Sequence, residues 1–152
     1  EGVGYGVLSD EQSAIVQRVL DLGQRTVADE MVGWDAVTTV NIDDGTDRLF
    51  ELGEQTSTTR FPVVEESQGN TKVVGVVNVM DALSLGREAN PTARGLCKPI
   101  TWIDADTPLR VALQRMQSEQ HALAGVGSPD QPRGIVTIKD LVEPITGELV
   151  SW

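Results

Sequence analysis

Two stretches of the sequence set a short polar side chain three residues ahead of an aspartate, at the end of an apolar run that opens on glycine. They are Gly134-Ile135-Val136-Thr137-Ile138-Lys139-Asp140 and Gly75-Val76-Val77-Asn78-Val79-Met80-Asp81. β-Branched residues leading into Thr or Asn, with apolar residues resuming at helical spacing, describe a buried strand that turns into a helix. Thr137 then falls at the N-cap and Asp140 in the first turn, where a hydroxyl and a carboxylate meet unpaired backbone N–H groups. Taken alone, that spacing describes an ordinary helix cap. Its recurrence after 59 residues, from Gly75 to Gly134, points to an internal repeat.

Little else in the chain could do covalent chemistry. There is no Ser/His/Asp set and no Cys/His pair at a recognisable spacing. His121 is the only histidine, which removes the usual zinc sites and the usual near-neutral base; we expect it in a strand. Asp43-Asp44 and Glu65-Glu66 fall at turns or strand ends and read as solvated carboxylates. No catalytic residue and no metal site is assigned. The single cysteine, Cys97, cannot form an internal disulfide and fits a reducing compartment.

The formal net charge of −11, from 23 acidic and 12 basic residues, disfavours a nucleic-acid partner, which requires a basic stripe. It suits either a solvated acidic surface or one that attracts divalent cations. With 39% apolar and only 4% aromatic residues, the core must come from Val, Leu, Ile and Ala. No apolar run approaches a bilayer span and no signal peptide is visible, so these residues are expected to be soluble, whether or not they are cut from something larger.

The elements that position the two signatures follow from periodicity. Residues 1–8 carry Gly2, Gly4 and Gly6 and read as a flexible lead-in. Ser9 and Gln12 form a capping box for an amphipathic helix with Ile15, Val16, Val19, Leu20 and Leu22 on one face and Gly23 as its stop. A short turn from Thr26 tucks Val27 and Met31 inward. A strand is expected over 37–42, then a helix capped by Thr46 and carrying Leu49, Phe50 and Leu52, with Gly53 at its end or inside it. Strands over 61–64 and 72–78 close a hairpin at Gln68-Gly69-Asn70, and 81–85 is helical. Residues 86–95 read as a linker. The order then repeats: strand 99–103, a helix with Pro108 at its first position and Leu109 to Met116 supplying apolar positions, strands 122–126 and 134–137, and a helix over 140–145.

A tandem β-α-β-β-α repeat, each copy ending in Gly-x-x-(Thr or Asn)-x-x-Asp, resembles a pair of CBS domains, the Bateman module. That resemblance implies an α+β fold of two repeats with pseudo-twofold symmetry, preceded by the amphipathic helix. The boundaries are 1–25 for the lead-in and acidic connecting helix, 26–89 for the first domain and linker, 90–149 for the second domain, and 150–152 for a tail. Gly6 to Gln12, Val19 to Met31, Thr59-Arg60-Phe61-Pro62-Val63 and Gly134 to Asp140 running on to Gly147-Glu148-Leu149 are similar, more narrowly, to the CorC/HlyC/cyclin-M family, whose members are described as hemolysin-like or as magnesium and cobalt efflux proteins.

This narrower resemblance implies a regulatory module on the cytoplasmic face of the cell membrane, attached to a transmembrane domain, dimeric, and sensing adenine nucleotide with Mg²⁺ balancing the ATP charge. Its expected site draws on Val32, Thr58, Thr59, Arg60, Pro62, Ile135, Thr137 and Asp140, with Asn78 and Asp81 marking a second cleft. Asp140 would accept from ribose hydroxyls, Thr137 and Arg60 would serve phosphate, and Val32, Pro62 and Ile135 would wall the adenine. The apolar face of residues 15–22 is a candidate part of the dimer contact. The sequence departs from the family at Val32-Gly33, where Thr-Pro is usual, at Thr58, where a ring is usual, and at Lys139 and Pro144, where acidic residues are common. Losing that hydroxyl and ring predicts weaker nucleotide binding. A ligand-free structural dimerisation module is the alternative.

Overall fold

A computed structural model of the chain describes residues 8–23, 25–86 and 89–142. The lead-in expected over 1–8 and the end of the last helix lie almost wholly outside the described residues. Helix α1 (Asp10–Leu22) starts as its sequence requires: Gln12 N–H donates to Ser9 Oγ at 3.1 Å and Ser9 N–H donates to Gln12 Oε1 at 3.0 Å. Val16 is fully buried, whereas Ile15 and Val19 are more than a third exposed, and Ser13 donates to Gln117 Oε1 on a neighbouring helix at 2.8 Å.

The remaining elements are α2 (Val27–Glu30), β1 (Val32–Gly33), a 3-10 turn (Trp34–Ala36), β2 (Val40–Asn41), α3 (Thr46–Thr56), β3 (Arg60–Ser67), β4 (Asn70–Asn78) and α4 (Val79–Leu85). Then come α5 (Ala93–Leu96), β5 (Thr101–Ile103), α6 (Leu109–Ser118), β6 (Leu123–Gly127) and β7 (Pro132–Thr137). A final helix, α7, runs from 138 to 142, the last described residue. The chain divides into two compact units, one from 1–37, 101–128 and 132–152, the other from 38–100 with 129–131.

The first unit holds a four-stranded sheet in the order β1-β7-β6-β5, with β5 parallel to β6 and the other pairs antiparallel. Alternation sends Ile103, Val126 and Val136 to the face packed on Leu113 and Met116 of α6. The second unit holds β2-β3-β4, with β2 parallel to β3 and β3–β4 a hairpin. Gln68 and Gly69 turn that hairpin with φ of 52° and 82°, the paired left-handed conformation that matches strand twist. Leu49, Phe61, Val63 and Val77 are buried within it, each side chain adding roughly 1.5–3 kcal/mol.

The units do not follow the order of the sequence copies. The head of the first copy belongs to the first unit: Val27 N–H donates to Thr107 O at 2.9 Å, Ala28 N–H to Ala105 O at 2.8 Å, and β1 pairs with β7. The head of the second copy belongs to the second unit, where Ala93 and Arg94 N–H donate to Asp44 O and Ile42 O, both at 2.8 Å, and Lys98 exchanges two 2.9 Å bonds with Val76. The same docking therefore occurs twice.

It also explains the repeated glycine. A Cβ on Gly134 would fall within 3.0 Å of the Val32 carbonyl oxygen, and one on Gly75 would meet the Lys98 carbonyl and Cys97 Sγ as closely. Only a bare Cα lets the incoming backbone approach.

Several expected elements change. Residues 86–95 are not all linker, because Thr92 Oγ1 accepts from Gly95 N–H and caps α5. Gly45, not Thr46, is the cap of α3; Thr46 is its first residue, buried, with its hydroxyl on Asn90. Gly53 lies inside α3. Pro108 is the cap of α6 and not its first residue. The strand expected over 37–42 shrinks to two residues, because Asp43 N–H donates to the Asn41 side chain and Asn41 N–H to Asp44, folding the chain away. The strand expected over 99–103 begins at Thr101. His121 precedes β6 and is not a strand residue.

Candidate functional site

In the first unit, β7 delivers Ile135 and Thr137 on one face and α7 follows at once. Asp140 N–H donates to Thr137 Oγ1 at 3.0 Å, and Thr137 N–H donates to Asp140 Oδ2 at 3.2 Å. This reciprocal cap fixes both side chains and, among the described residues, leaves each with one unused function. The Thr137 hydroxyl, already accepting, keeps its proton to donate outward, and Asp140 Oδ1 meets no donor among the described residues.

Two residues before Thr137, half-buried Ile135 pairs with half-buried Val32 across the β1–β7 ladder. The row continues through Gly125 to Trp102. Trp102 ring atoms lie 2.6–2.9 Å from where a Gly125 Cβ would stand, so the ring covers that glycine. Val32, Ile135 and the indole thus form an apolar row beside a hydroxyl donor and a carboxylate acceptor. Trp102 was not among the expected residues. The signal available for it was a glycine inside a strand pattern, which marks close approach by a neighbouring group.

The second unit gathers Thr58, Thr59 and Arg60 at the start of β3, all exposed, and pairs Arg60 with Asn78. Thr59 O accepts from Val79 N–H at 2.8 Å, and Asn78 Oδ1 accepts from Met80 N–H at 2.9 Å, leaving the Asn78 amide to donate. Pro62 is buried opposite Val76. Asp81 Oδ2 lies 3.5 Å from Lys98 Nζ, a contact no local pattern announced. Beside these residues, a 490 Å³ groove between α3 and α4 is lined by Phe50, Gly53, Thr59, Met80 and Leu83 among others. The expected residues thus form two groups: Val32, Ile135, Thr137 and Asp140 in one unit, and Thr58, Thr59, Arg60, Pro62, Asn78 and Asp81 in the other.

Two titratable groups among the described residues, Glu119 and Cys97, have shifted behaviour. The Thr101 hydroxyl donates to Glu119 Oε1 at 2.6 Å, and with the Arg115 guanidinium it holds the Glu119 carboxyl below its usual range. That hydroxyl also lies 2.6 Å from His121 Nδ1. A hydroxyl has one proton, already given to Glu119, so Nδ1 must be the donor to Thr101. Burial pushes the Cys97 thiol up, partly offset by the Val76 backbone N–H. Among the described residues, no three His, Cys, Asp or Glu side chains gather as a metal site.

The CBS domain family matches residues 94–147. A UPF0053 protein of Mycoplasma genitalium is 28% identical over 95% of the chain, which spans 34% of that relative's length. Among solved structures, the CBS domain of a bacterial CNNM/CorC family Mg²⁺ transporter in complex with ATP superposes with a TM-score of 0.75 at 21% identity, covering 91% of this chain and 97% of that one. A hemolysin-like protein containing a CBS domain from Oenococcus oeni gives 0.72 at 20% identity, covering 84% and 94%. The second copy, residues 94–147, is thus similar in sequence to the CBS domain family, and the chain as a whole shares the fold of CBS-domain structures, two repeats preceded by a helix.

Proposed function

We propose that the chain is the nucleotide-sensing regulatory module of a membrane divalent-cation transporter or hemolysin-like protein, that it binds Mg-ATP, and that α1 transmits the bound state to a membrane domain. The chain spans about a third of the length of the Mycoplasma genitalium relative, and among the described residues no helix is long and apolar enough to cross a membrane, so that domain would lie elsewhere in a longer protein. The observation that carries the reading is the Thr137–Asp140 cap, which satisfies its own backbone and still offers one donor and one acceptor beside Val32 and Ile135. Those are the demands of a ribose hydroxyl, a phosphate oxygen and an apolar purine face. ATP carries about four negative charges and the chain a net −11, so Mg²⁺ is required as the compensating ion.

A thermal-shift titration tests this. Ligand at 100 times Kd adds about 2.7 kcal/mol to the folded state, which raises Tm by roughly 5–10 °C in a chain of this size. The shift should need Mg²⁺ and shrink in Thr137→Ala and Asp140→Ala. No shift at millimolar Mg-ATP, or an undiminished shift in both variants, refutes the proposal.

The second reading is a structural dimerisation module without ligand. Met80, Leu83 and Leu85 favour it, each 55% exposed on or beside the α3–α4 groove, an unusual exposure for large apolar side chains. Self-association is compatible with both readings, and we assign it to this face. On α1, Val16 is used within its own unit, while Ile15 and Val19 stay more than a third exposed as candidates for the same contact. Sedimentation of wild type against Met80→Lys/Leu83→Lys checks the dimer: the variant should be monomeric, and an unchanged dimer refutes the assignment.

A further inference from the structure

The two units repeat one backbone setting and fill it with different side chains. Val32 runs beside Ile135 at Gly134, and Lys98 runs beside Val76 at Gly75. Ile135 and Val76, Gly134 and Gly75, Thr137 and Asn78, and Asp140 and Asp81 are each 59 residues apart. The position that is an isopropyl group in the first unit is therefore an ammonium in the second. Its consequence is visible on the carboxylates. Asp81 Oδ2 pairs with Lys98 Nζ at 3.5 Å, whereas no cation pairs with Asp140 among the described residues. The capping differs too: Asp140 is locked by its bond to Thr137 N–H, while Asn78 turns its oxygen to Met80 N–H and leaves Asp81 to the lysine.

We infer that Lys98 decides which copy takes nucleotide, so that the chain binds one nucleotide, at Thr137–Asp140, and not two. The inference rests on the nucleotide reading of that pair. In the second unit a ribose must displace an ammonium from Asp81, and the base finds no valine wall in the place of Val32. The pair is exposed, with 71% of the Lys98 side chain and 37% of the Asp81 side chain accessible, so it contributes little to folding. Its effect falls on the ligand. Competition for the carboxylate and the missing apolar contact together weaken this copy roughly tenfold or more. Lys98→Val restores the arrangement of the other unit without touching the fold, because both bonds to Val76 are made by the backbone.

The test is calorimetric titration of Mg-ATP into wild type, Lys98→Val, Lys98→Val/Asp81→Ala and Lys98→Gln. Wild type should bind one equivalent, Lys98→Val two, and the double variant one again. Lys98→Gln removes the charge without adding the wall, so it should show the second equivalent at lower affinity; it carries the test if the valine variant fails to fold. The inference is overturned if Lys98→Val still binds one equivalent, if it binds the first more weakly because the lysine serves phosphate, or if wild type already binds two. A silent wild type beside a Lys98→Val that binds one equivalent would refute the Thr137–Asp140 reading and the one-nucleotide count, and leave standing only that Lys98 keeps nucleotide off the second copy. Silence in both overturns both.

Discussion

Gly33 and Gly134 face each other across the β1–β7 ladder, and the same substitution should have opposite consequences in the two. A Cβ on Gly134 would fall within 3.0 Å of the Val32 carbonyl oxygen and 3.1 Å from Met31 Sδ, whereas one on Gly33 would meet nothing within 4 Å. Gly33 has φ −62° and ψ 146°, which alanine adopts freely. Gly134→Ala must therefore push β1 away by the better part of an ångström. With only two registered pairs in β1, that displacement endangers the whole ladder. Losing one or two backbone hydrogen bonds at about 1 kcal/mol each, with overpacking of about 1 kcal/mol, gives roughly 2–3 kcal/mol. In a chain of this length that lowers Tm by about 5–10 °C. Gly33→Ala should stay within about 0.5 kcal/mol of wild type. Urea unfolding of the three proteins measures the difference directly. Equal stability of Gly134→Ala and wild type, or an equal loss in Gly33→Ala, would show that backbone proximity is not why this glycine recurs.

Ser9→Ala removes the hydroxyl that accepts Gln12 N–H and should cost about 1 kcal/mol, read as a lower urea midpoint with unchanged slope. Glu119 has a carboxyl held below its ordinary value of 4.5, first by the Thr101 hydroxyl and then by Arg115, so its contribution is present above the unfolded pKa and lost as pH falls through the folded one. Stability profiles of wild type and Glu119→Gln should therefore converge in acid below 4.5; a gap that persists or widens there contradicts the assignment. The Cys97 thiol, raised above 9.0 by burial beside Gly75, should react with a soluble disulfide reagent at pH 8 more slowly in the folded chain than in urea. Equal rates would place that sulfur in open solvent.

What the sequence determines here is local. The Ser9–Gln12 and Thr137–Asp140 caps and the turn at Gln68-Gly69 involve partners within three residues, so residue type and spacing suffice to name them. The repeat was legible for the same reason, since each copy writes its own short signature. Element ends were less legible at 37–42 and 86–95, where Asx bonds and a one-turn helix compete with strand and linker patterns that look alike in the sequence.

The tertiary structure decided the rest. It decided that the head of each copy docks in the unit built mainly from the other, that the repeated glycines exist for that docking, that Trp102 covers Gly125, and that Lys98 reaches Asp81. These contacts join residues 17 to 103 positions apart, and no periodicity encodes them. They are fixed only when the strands take their register and bring one backbone against another with no side chain between.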